Sequence, residues 1–281
     1  MLVYVSVVLF KHSLADIEPL IASLISFKAL RSKYDLSLIV YDATPSAQAS
    51  IDLQSFLCLC RNLDYIYNRG PNIGFGAANN RNFSLADSSA ESLFLVCNPD
   101  ISFDPSQLLP LFEYLVSSEV TLSCVAPLIL NSDGAIQFSV KHNPTLLSLL
   151  ASRFSFLRNL HAVDQYMLSF LNCDSDYRLD IIPSTYLSGS FLLIPSSYYS
   201  LCSGFDERFF LHFEDADLVR RLSQLAPSVH YPGAVVTHRW GRGSHHSLSQ
   251  TLHLIISYML YAKKWFILEL CYSLRIVAQK A

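Results

Sequence analysis

LVYVSVVLFKHSLADIEPLIASLISFKALRSKYDLSLIVYD, residues 2–42, decides the fold class. Leu2 to Phe10 is a short apolar run suited to a strand covered on both faces of a parallel sheet. Asp16 then opens a pattern in which Ile17, Leu20, Ile21, Leu24 and Ile25 recur at the 3.6-residue spacing of a buried helix face. Leu36 to Tyr41 reads as a second strand, stopped by Asp42 and Pro45. Leu53, Phe56, Leu57 and Cys60 predict another helix, Leu63 to Tyr67 a third strand and Leu93 to Cys97 a fourth. Strand alternating with helix gives right-handed βαβ units, hence an α/β fold with a Rossmann-like, mainly parallel sheet flanked by helices. Such sheets bind ligands beyond the carboxyl ends of their strands. That rule directs attention to Asp42, Asn68 to Asn72 and Asn98 to Asp100.

Composition narrows the class further. The chain has 281 residues, 51% hydrophobic and only 15% charged, which guarantees a sizeable core and excludes disorder. A formal net charge of -3, with scattered basic residues, argues against nucleic acid as a partner. The seven cysteines form no CxxC pair and are odd in number, as expected of reduced thiols in a cytoplasmic protein. The start, MLVYVSVVLFKHS, lacks a basic leader and a cleavage site, so no signal peptide is expected. No apolar stretch reaches the roughly 18 residues of a spanning helix.

Further along, Leu108 to Val116 reads as a helix behind an Asp104–Pro105 start, and Leu122 to Pro127 as a strand. Asn131 to Gly134 is a turn, and residues 144–171 form one or two Leu- and Ser-rich helices. The stretch 186–222, YLSGSFLLIPSSYYSLCSGFDERFFLHFEDADLVRRL, then gathers the chemistry. Ser190 to Ile194 predicts a buried strand, and Leu218, Leu222 and Leu225 a helix. Between them lie Asp206, Glu207, Glu214, Asp215 and Asp217, among Phe205, Phe209, Phe210, Leu211 and Phe213. The plain reading is that Asp215 caps the helix while its neighbours complement the dipole. The chemical reading is a carboxylate whose apolar surroundings fit it to act as a base.

The run Gly189-Ser190, Gly204-Phe205-Asp206-Glu207, Glu214-Asp215-Ala216-Asp217-Leu218 and Arg221 resembles the acceptor-side signature of family 2 glycosyltransferases. These are inverting enzymes of the GT-A fold, and the likeness is greatest to bacterial rhamnosyltransferases of O-antigen and other surface-polysaccharide assembly. The resemblance runs from about residue 3 to about residue 245. It implies a glycosyltransferase domain over 1–245, with a nucleotide-sugar-binding half at 1–127 and an acceptor-binding, catalytic half at 128–245. A helical tail at 246–281 follows, its Trp265, Tyr258 and Lys263–Lys264 suited to packing or to a membrane interface.

The resemblance also assigns roles. Asp215 is implied as the catalytic base, and Gly189, Ser190, Glu214 and Asp217 as acceptor contacts. Asn72, Gly74, Phe75, Asn79, Asn80 and Arg81 match the family's donor-side segment, with Asn82 in place of its usual Gly. Gly74 and Gly76 also begin a dinucleotide-type GxGxxG, but the last position is Asn79 and the loop follows the third strand. Asn98-Pro99-Asp100 matches the end of the metal motif, so Asp100 and His238 are implied as ligands of Mg2+ or Mn2+, with Asp42, Arg242 and Ser244 on the nucleotide-diphosphate side. Hard oxygen ligands suit such ions, and Arg239 and Arg242 suit phosphate oxygens. His238, His245 and His246 also raise zinc, although no cysteine or carboxylate completes a standard spacing.

Three functions follow as expectations. The first is an inverting transferase moving a sugar from a nucleotide-diphosphate donor, dTDP-L-rhamnose by resemblance or a UDP-linked galactose, glucose or N-acetylglucosamine. Its acceptor is a hydroxyl of a lipid-linked glycan, met at the cytoplasmic face of the inner membrane. The second is a non-catalytic sugar-nucleotide-binding protein of the same fold, and the third a zinc hydrolase.

Overall fold

A computed structural model describes residues 1–30, 32–45, 52–86, 91–239 and 251–266. The four early strands form where expected: β1 (Leu2–Leu9), β2 (Asp35–Asp42), β3 (Asp64–Arg69) and β4 (Leu93–Cys97). They alternate with α1 (Leu14–Ala29), α2 (Leu53–Leu59) and α3 (Phe75–Phe83). β5 (Ile101–Ser102), α4 (Pro105–Ser117) and β6 (Cys124–Leu130) follow, then β7 (Val140–Lys141) and α5 (Leu146–Arg153). A 3-10 turn (Ser155–Asn159) leads to α6 (His161–Phe170), β8 (Ile182–Pro183) and β9 (Tyr186–Leu187). The chain continues through β10 (Phe191–Pro195), α7 (Ser196–Leu201), α8 (Glu214–Leu222) and β11 (Ser228–His238), and a helix at 251–266, here α9.

The main sheet has the order β3-β2-β1-β4-β10-β6-β11-β5, with β8 added to β11. β1, β2, β3 and β4 pair in parallel, as do β6 and β11. β10 runs antiparallel between β4 and β6, so the sheet is mixed at its centre. That insertion carries the Gly189–Ser190 corner onto the carboxyl end of β4, where the Asn98 N–H donates to the Ser190 carbonyl at 2.9 Å. Val229–Tyr231 and Ala234–Val236, which read as two short strands, are one strand whose register shifts between Tyr231 and Val235. The intervening Pro232–Gly233 makes a bulge and not an end.

Side chains of β1 divide between two cores, as strand alternation requires. Val3, Val5, Val7 and Leu9 pack with α1 and α4 residues such as Ile17, Leu20, Leu111 and Phe112. Tyr4 packs on the opposite face with Phe94, Tyr199, Phe205, Leu218 and Leu222. Each fully buried aliphatic side chain contributes about 1.5–3 kcal/mol, so the two-sided core fixes where α3 and α8 sit. Asp104 caps α4 as read, accepting the Ser106 N–H at 2.8 Å, with Pro105 at the first helical position. Among the described residues no helix is long and apolar enough to cross a membrane.

Candidate active site

The acidic stretch reaches its place through an unusual turn. His212 and Phe213 both have left-handed backbone, at φ 73° and 62°, a conformation costing about 1–2 kcal/mol for residues with a Cβ. The turn starts α8 at Glu214 with Phe213 as N-cap and no side-chain cap. Asp215 is therefore not the helix cap that the plain reading assigns. Its Oδ1 accepts the Ala216 N–H at 2.8 Å, and its Oδ2 accepts the Gly189 N–H at 2.9 Å. A Cβ at Gly189 would stand 3.0 Å from the Asp215 Cβ. Glycine there is what lets the corner before β10 close on the carboxylate.

Glu214, Asp215, Gly189, Ser190 and His238 line one cavity of about 680 Å³, together with Asn98, Gln137 and Lys141. Glu214 is only 6% exposed, and its Oε2 has no hydrogen-bond partner. Burial, and then the neighbouring Asp215 charge, push the Glu214 carboxyl up to about 8. Asp217 lies apart from this cavity. It is fully buried, and its oxygens accept from Arg221 Nε at 2.8 Å, Lys264 Nζ at 2.7 and 2.9 Å and Trp265 Nε1 at 3.1 Å. It ties α9 to α8, and the Ser257 hydroxyl ties α9 to the loop before α8, donating to the Leu211 carbonyl at 2.8 Å. The expected acceptor contact at Asp217 is thus a structural ion-pair centre.

Asp100 and His238, the pair that the resemblance implies as metal ligands, stand in contact. Asp100 Oδ1 is 3.1 Å from His238 Nε2, and His238 Nδ1 is 2.9 Å from Gln137 Oε1. Burial raises the Asp100 carboxyl, but the His238 hydrogen bond and charge outweigh it and the group ends below its usual range. A histidine held through Nδ1 with Nε2 turned toward a carboxylate is the arrangement of a metal-ligating imidazole. Carboxylate plus imidazole, completed by diphosphate oxygens and water, fits a divalent cation. Among the described residues no cluster of three or more His, Cys, Asp or Glu forms a complete protein cage.

Of the other residues that the resemblance puts on the donor side, Asn80, Asp42 and Asn72 have internal partners. Asn80 clamps two elements: its Nδ2 donates to the Phe205 carbonyl at 2.9 Å and to Glu207 Oε1 at 3.0 Å. Its Oδ1 accepts from the Tyr199 hydroxyl at 2.7 Å and the Phe205 N–H at 2.9 Å. Asp42 is buried and holds its own loop, accepting from the Tyr67 hydroxyl at 2.6 Å and the Thr44 N–H at 2.9 Å. Asn72 Oδ1 accepts the Gly74 N–H at 3.2 Å, and Gly74, at φ 92°, lies against the Phe210 backbone where a Cβ would clash at 2.5 Å. Arg81 is exposed on α3. Arg242 and Ser244, with His245 and His246, lie outside the described residues.

Three residues here were not anticipated. Gln137 orients His238, Lys141 lines the cavity, and His12 lies within electrostatic reach of Asp100, Asp16 and Asp42. Burial lowers the His12 pKa, and those three carboxylates pull it back. His12 follows β1 at its carboxyl end, the position the sheet rule marks; Gln137 and Lys141 carry no such signal.

No protein-family model matches the chain. It is 30% identical over 183 residues to the N-acetylglucosaminyl-diphospho-decaprenol L-rhamnosyltransferase of Mycobacterium tuberculosis, covering 60% of this chain and 56% of that one. It is 27% identical over 176 residues to the rhamnosyltransferase WbbL of Escherichia coli K12, covering 60% and 61%. The match thus spans little more than half the length of these relatives. In structure the chain is similar to GalNAc-T7, crystallised with UDP, GalNAc and Mn2+, at a TM-score of 0.59 and 15% identity over 84% of this chain and 42% of that one. It is similar also to the mannosyltransferase PcManGT of Pyrobaculum calidifontis, in complex with GDP-Man and Mn2+, at a TM-score of 0.56 and 13% identity over 93% and 64%.

Proposed function

We propose that this chain, a GT-A-fold relative of bacterial rhamnosyltransferases, is an inverting glycosyltransferase that uses Asp215 as its base. The observation that carries the reading is the shared cavity, in which Asp215, steadied by the Gly189 N–H, lies with His238, the partner of Asp100. Asp215 takes the proton of an acceptor hydroxyl as its oxygen attacks the anomeric carbon of the donor sugar. The bond from that carbon to the diphosphate oxygen breaks on the opposite face, so the configuration inverts. Asp100 and His238 are the residues that hold Mg2+ or Mn2+, with Gln137 fixing the imidazole. When bound, such an ion supplies positive charge that stabilises the departing diphosphate. Glu214, buried beside the base, contacts the acceptor from the same wall.

The names of the relatives support rhamnose as the transferred sugar, and the mycobacterial name supports an acceptor sugar joined to a polyprenyl lipid through a diphosphate; dTDP-L-rhamnose is the donor that the family resemblance implies. A lipid-linked acceptor brings the protein to a membrane surface. Leu252, Ile255, Ile256, Met259 and Phe266 are exposed along α9 and suit that contact.

The test is transfer from dTDP-L-rhamnose, with UDP-sugars as the comparison panel, in EDTA and after metal is restored. Transfer that stops in chelator and returns with Mg2+ or Mn2+ is the expected result. Full transfer by a demonstrably metal-free sample overturns the metal assignment, and no transfer or binding of any nucleotide sugar overturns the activity.

A further inference from the structure

We infer that Lys141, assisted by Arg158, forms an anion subsite for the diphosphate of the acceptor, where the main cavity meets an adjoining hollow. The inference rests on the reading of the Asp215 cavity as an acceptor site and adds the residues that select a charged acceptor.

Lys141 ends the short strand β7 and is half-buried. Its ammonium lies 4.9 Å over the Tyr186 ring, and among the described residues no carboxylate forms an ion pair with it. Burial draws its pKa down, and the Asp215 charge pulls it back up. A sheltered cation with no carboxylate in hydrogen-bond contact is unfavourable until something anionic reaches it. A cation close to the base also weakens that base, a cost that makes sense only if the charge binds substrate. A neutral sugar hydroxyl does not need it; a phosphate does.

Position separates this cation from the donor side. Lys141 lines the main cavity, but it also lines an adjoining hollow of about 310 Å³ with His142, Asn172, Ser184 and Thr185. Neither Asp100, His238 nor Gln137 borders that hollow. Lys141 therefore stands where the main cavity meets a hollow that the Asp100–His238 pair does not border. Arg158 lines the main cavity from the 3-10 turn. Its Nε and Nη2 bind Asp164 Oδ1 at 3.1 and 2.9 Å, which leaves Nη1 for a ligand. The flanking segment exposes Leu146, Leu147, Leu150, Phe154, Phe156 and Leu160. Cations at the cavity wall, with exposed apolar side chains on the segment between them in sequence, match a ligand with a diphosphate head and a hydrocarbon tail.

The experiment is calorimetric binding, without donor, of N-acetylglucosaminyl-diphospho-farnesol and of N-acetylglucosaminyl farnesol lacking the diphosphate. The wild type is expected to prefer the first by at least about tenfold, the scale of one charge-assisted hydrogen bond. Lys141→Met should bring the ratio of the two affinities close to one, Lys141→Arg should keep part of it, and Arg158→Gln should reduce it. Thermal melting of each variant confirms that it is folded, and Arg158→Gln stands in if Lys141→Met is not. Equal binding of the two compounds by the wild type overturns the subsite. So does an undiminished preference in Lys141→Met, or a loss of nucleotide-sugar affinity in that variant as large as the loss of acceptor affinity. Because the donor is absent from the main arm, a failure of nucleotide-sugar binding by the wild type is recorded separately and counts against the transferase reading alone.

Discussion

Two polar helix segments, the Asn79–Asn82 run in the second half of α3 and the Glu214–Asp217 run at the start of α8, look equally functional in sequence and are put to different use. In α3 the amides turn inward. Asn79 Oδ1 accepts from the Ser6 hydroxyl at 2.6 Å, and Asn82 Nδ2 reaches the Val7 and Ile39 carbonyls at 3.3 and 3.1 Å. Together with the Asn80 clamp, they fasten the helix to β1, β2 and the Phe205 loop. In α8 the carboxylates divide. Glu214 and Asp217, three residues apart, share the buried face, whereas Asp215 is half-exposed to the cavity. Asp217 has cationic partners and Glu214 has none, so one is a structural charge and the other a poised acid. A polar motif therefore marks where a helix is anchored as readily as where a ligand sits, and the partners of each oxygen tell the two apart.

The contrast can be broken most sharply at Asp217. Asp217→Ala strands Arg221 and leaves Lys264 with Asp206 alone, at 2.9 Å, and removing one partner of a buried ion pair costs about 3–5 kcal/mol. Denaturant unfolding should show that loss, with α9 the first element exposed to protease. A fully stable Asp217→Ala that binds acceptor poorly would return Asp217 to the acceptor site. Asn80→Ala should cost about 1–3 kcal/mol, the penalty for stranding buried hydrogen-bond partners, with nucleotide-sugar affinity nearly unchanged. Titration of the donor against the folded variant checks it, and a selective loss of donor affinity would make α3 a binding element after all.

The smallest effect concerns Glu214 and pH. Its folded carboxyl holds a proton up to about 8, well above the ordinary carboxylate range of the unfolded chain. Between those limits the folded state binds more protons, so stability should fall as pH rises through that window. Melting temperature followed from pH 5 to pH 9 should decline more in wild type than in Glu214→Gln, by a few degrees for each kcal/mol involved. Identical slopes would mean that Glu214 is already ionised and partnered.

Much of the framework was legible because apolar period and turn residues are local. β1 to β4, α1, α2 and α4 follow from the spacing of Val, Leu and Ile, and Asp104–Pro105 marks the start of α4 correctly. The insertion of β10 between β4 and β6 was not legible, since strand pairing is settled by the whole sheet. Nor was the left-handed turn at His212–Phe213, because Phe does not announce positive φ and His does so only weakly. His238, Glu214 and Asp215 line one cavity, and Asp100 contacts His238. Asn80, Asp42 and Asp217 are used internally, because side-chain direction and bonding partners depend on packing that spacing does not encode. Gln137 and Lys141 come from the segment around β7 and join the cavity only through tertiary placement.

The central claim is that Asp215 is the base. Single-turnover transfer from dTDP-L-rhamnose, with donor affinity measured alongside, should be compared for Asp215→Asn and Glu214→Gln. Loss of a positioned base lowers the rate by about 10²–10⁴-fold, so Asp215→Asn should show that loss with donor affinity nearly intact, and Glu214→Gln a smaller one. Near-normal transfer in Asp215→Asn, with collapse in Glu214→Gln, would contradict the assignment and move the chemistry to the neighbouring carboxyl.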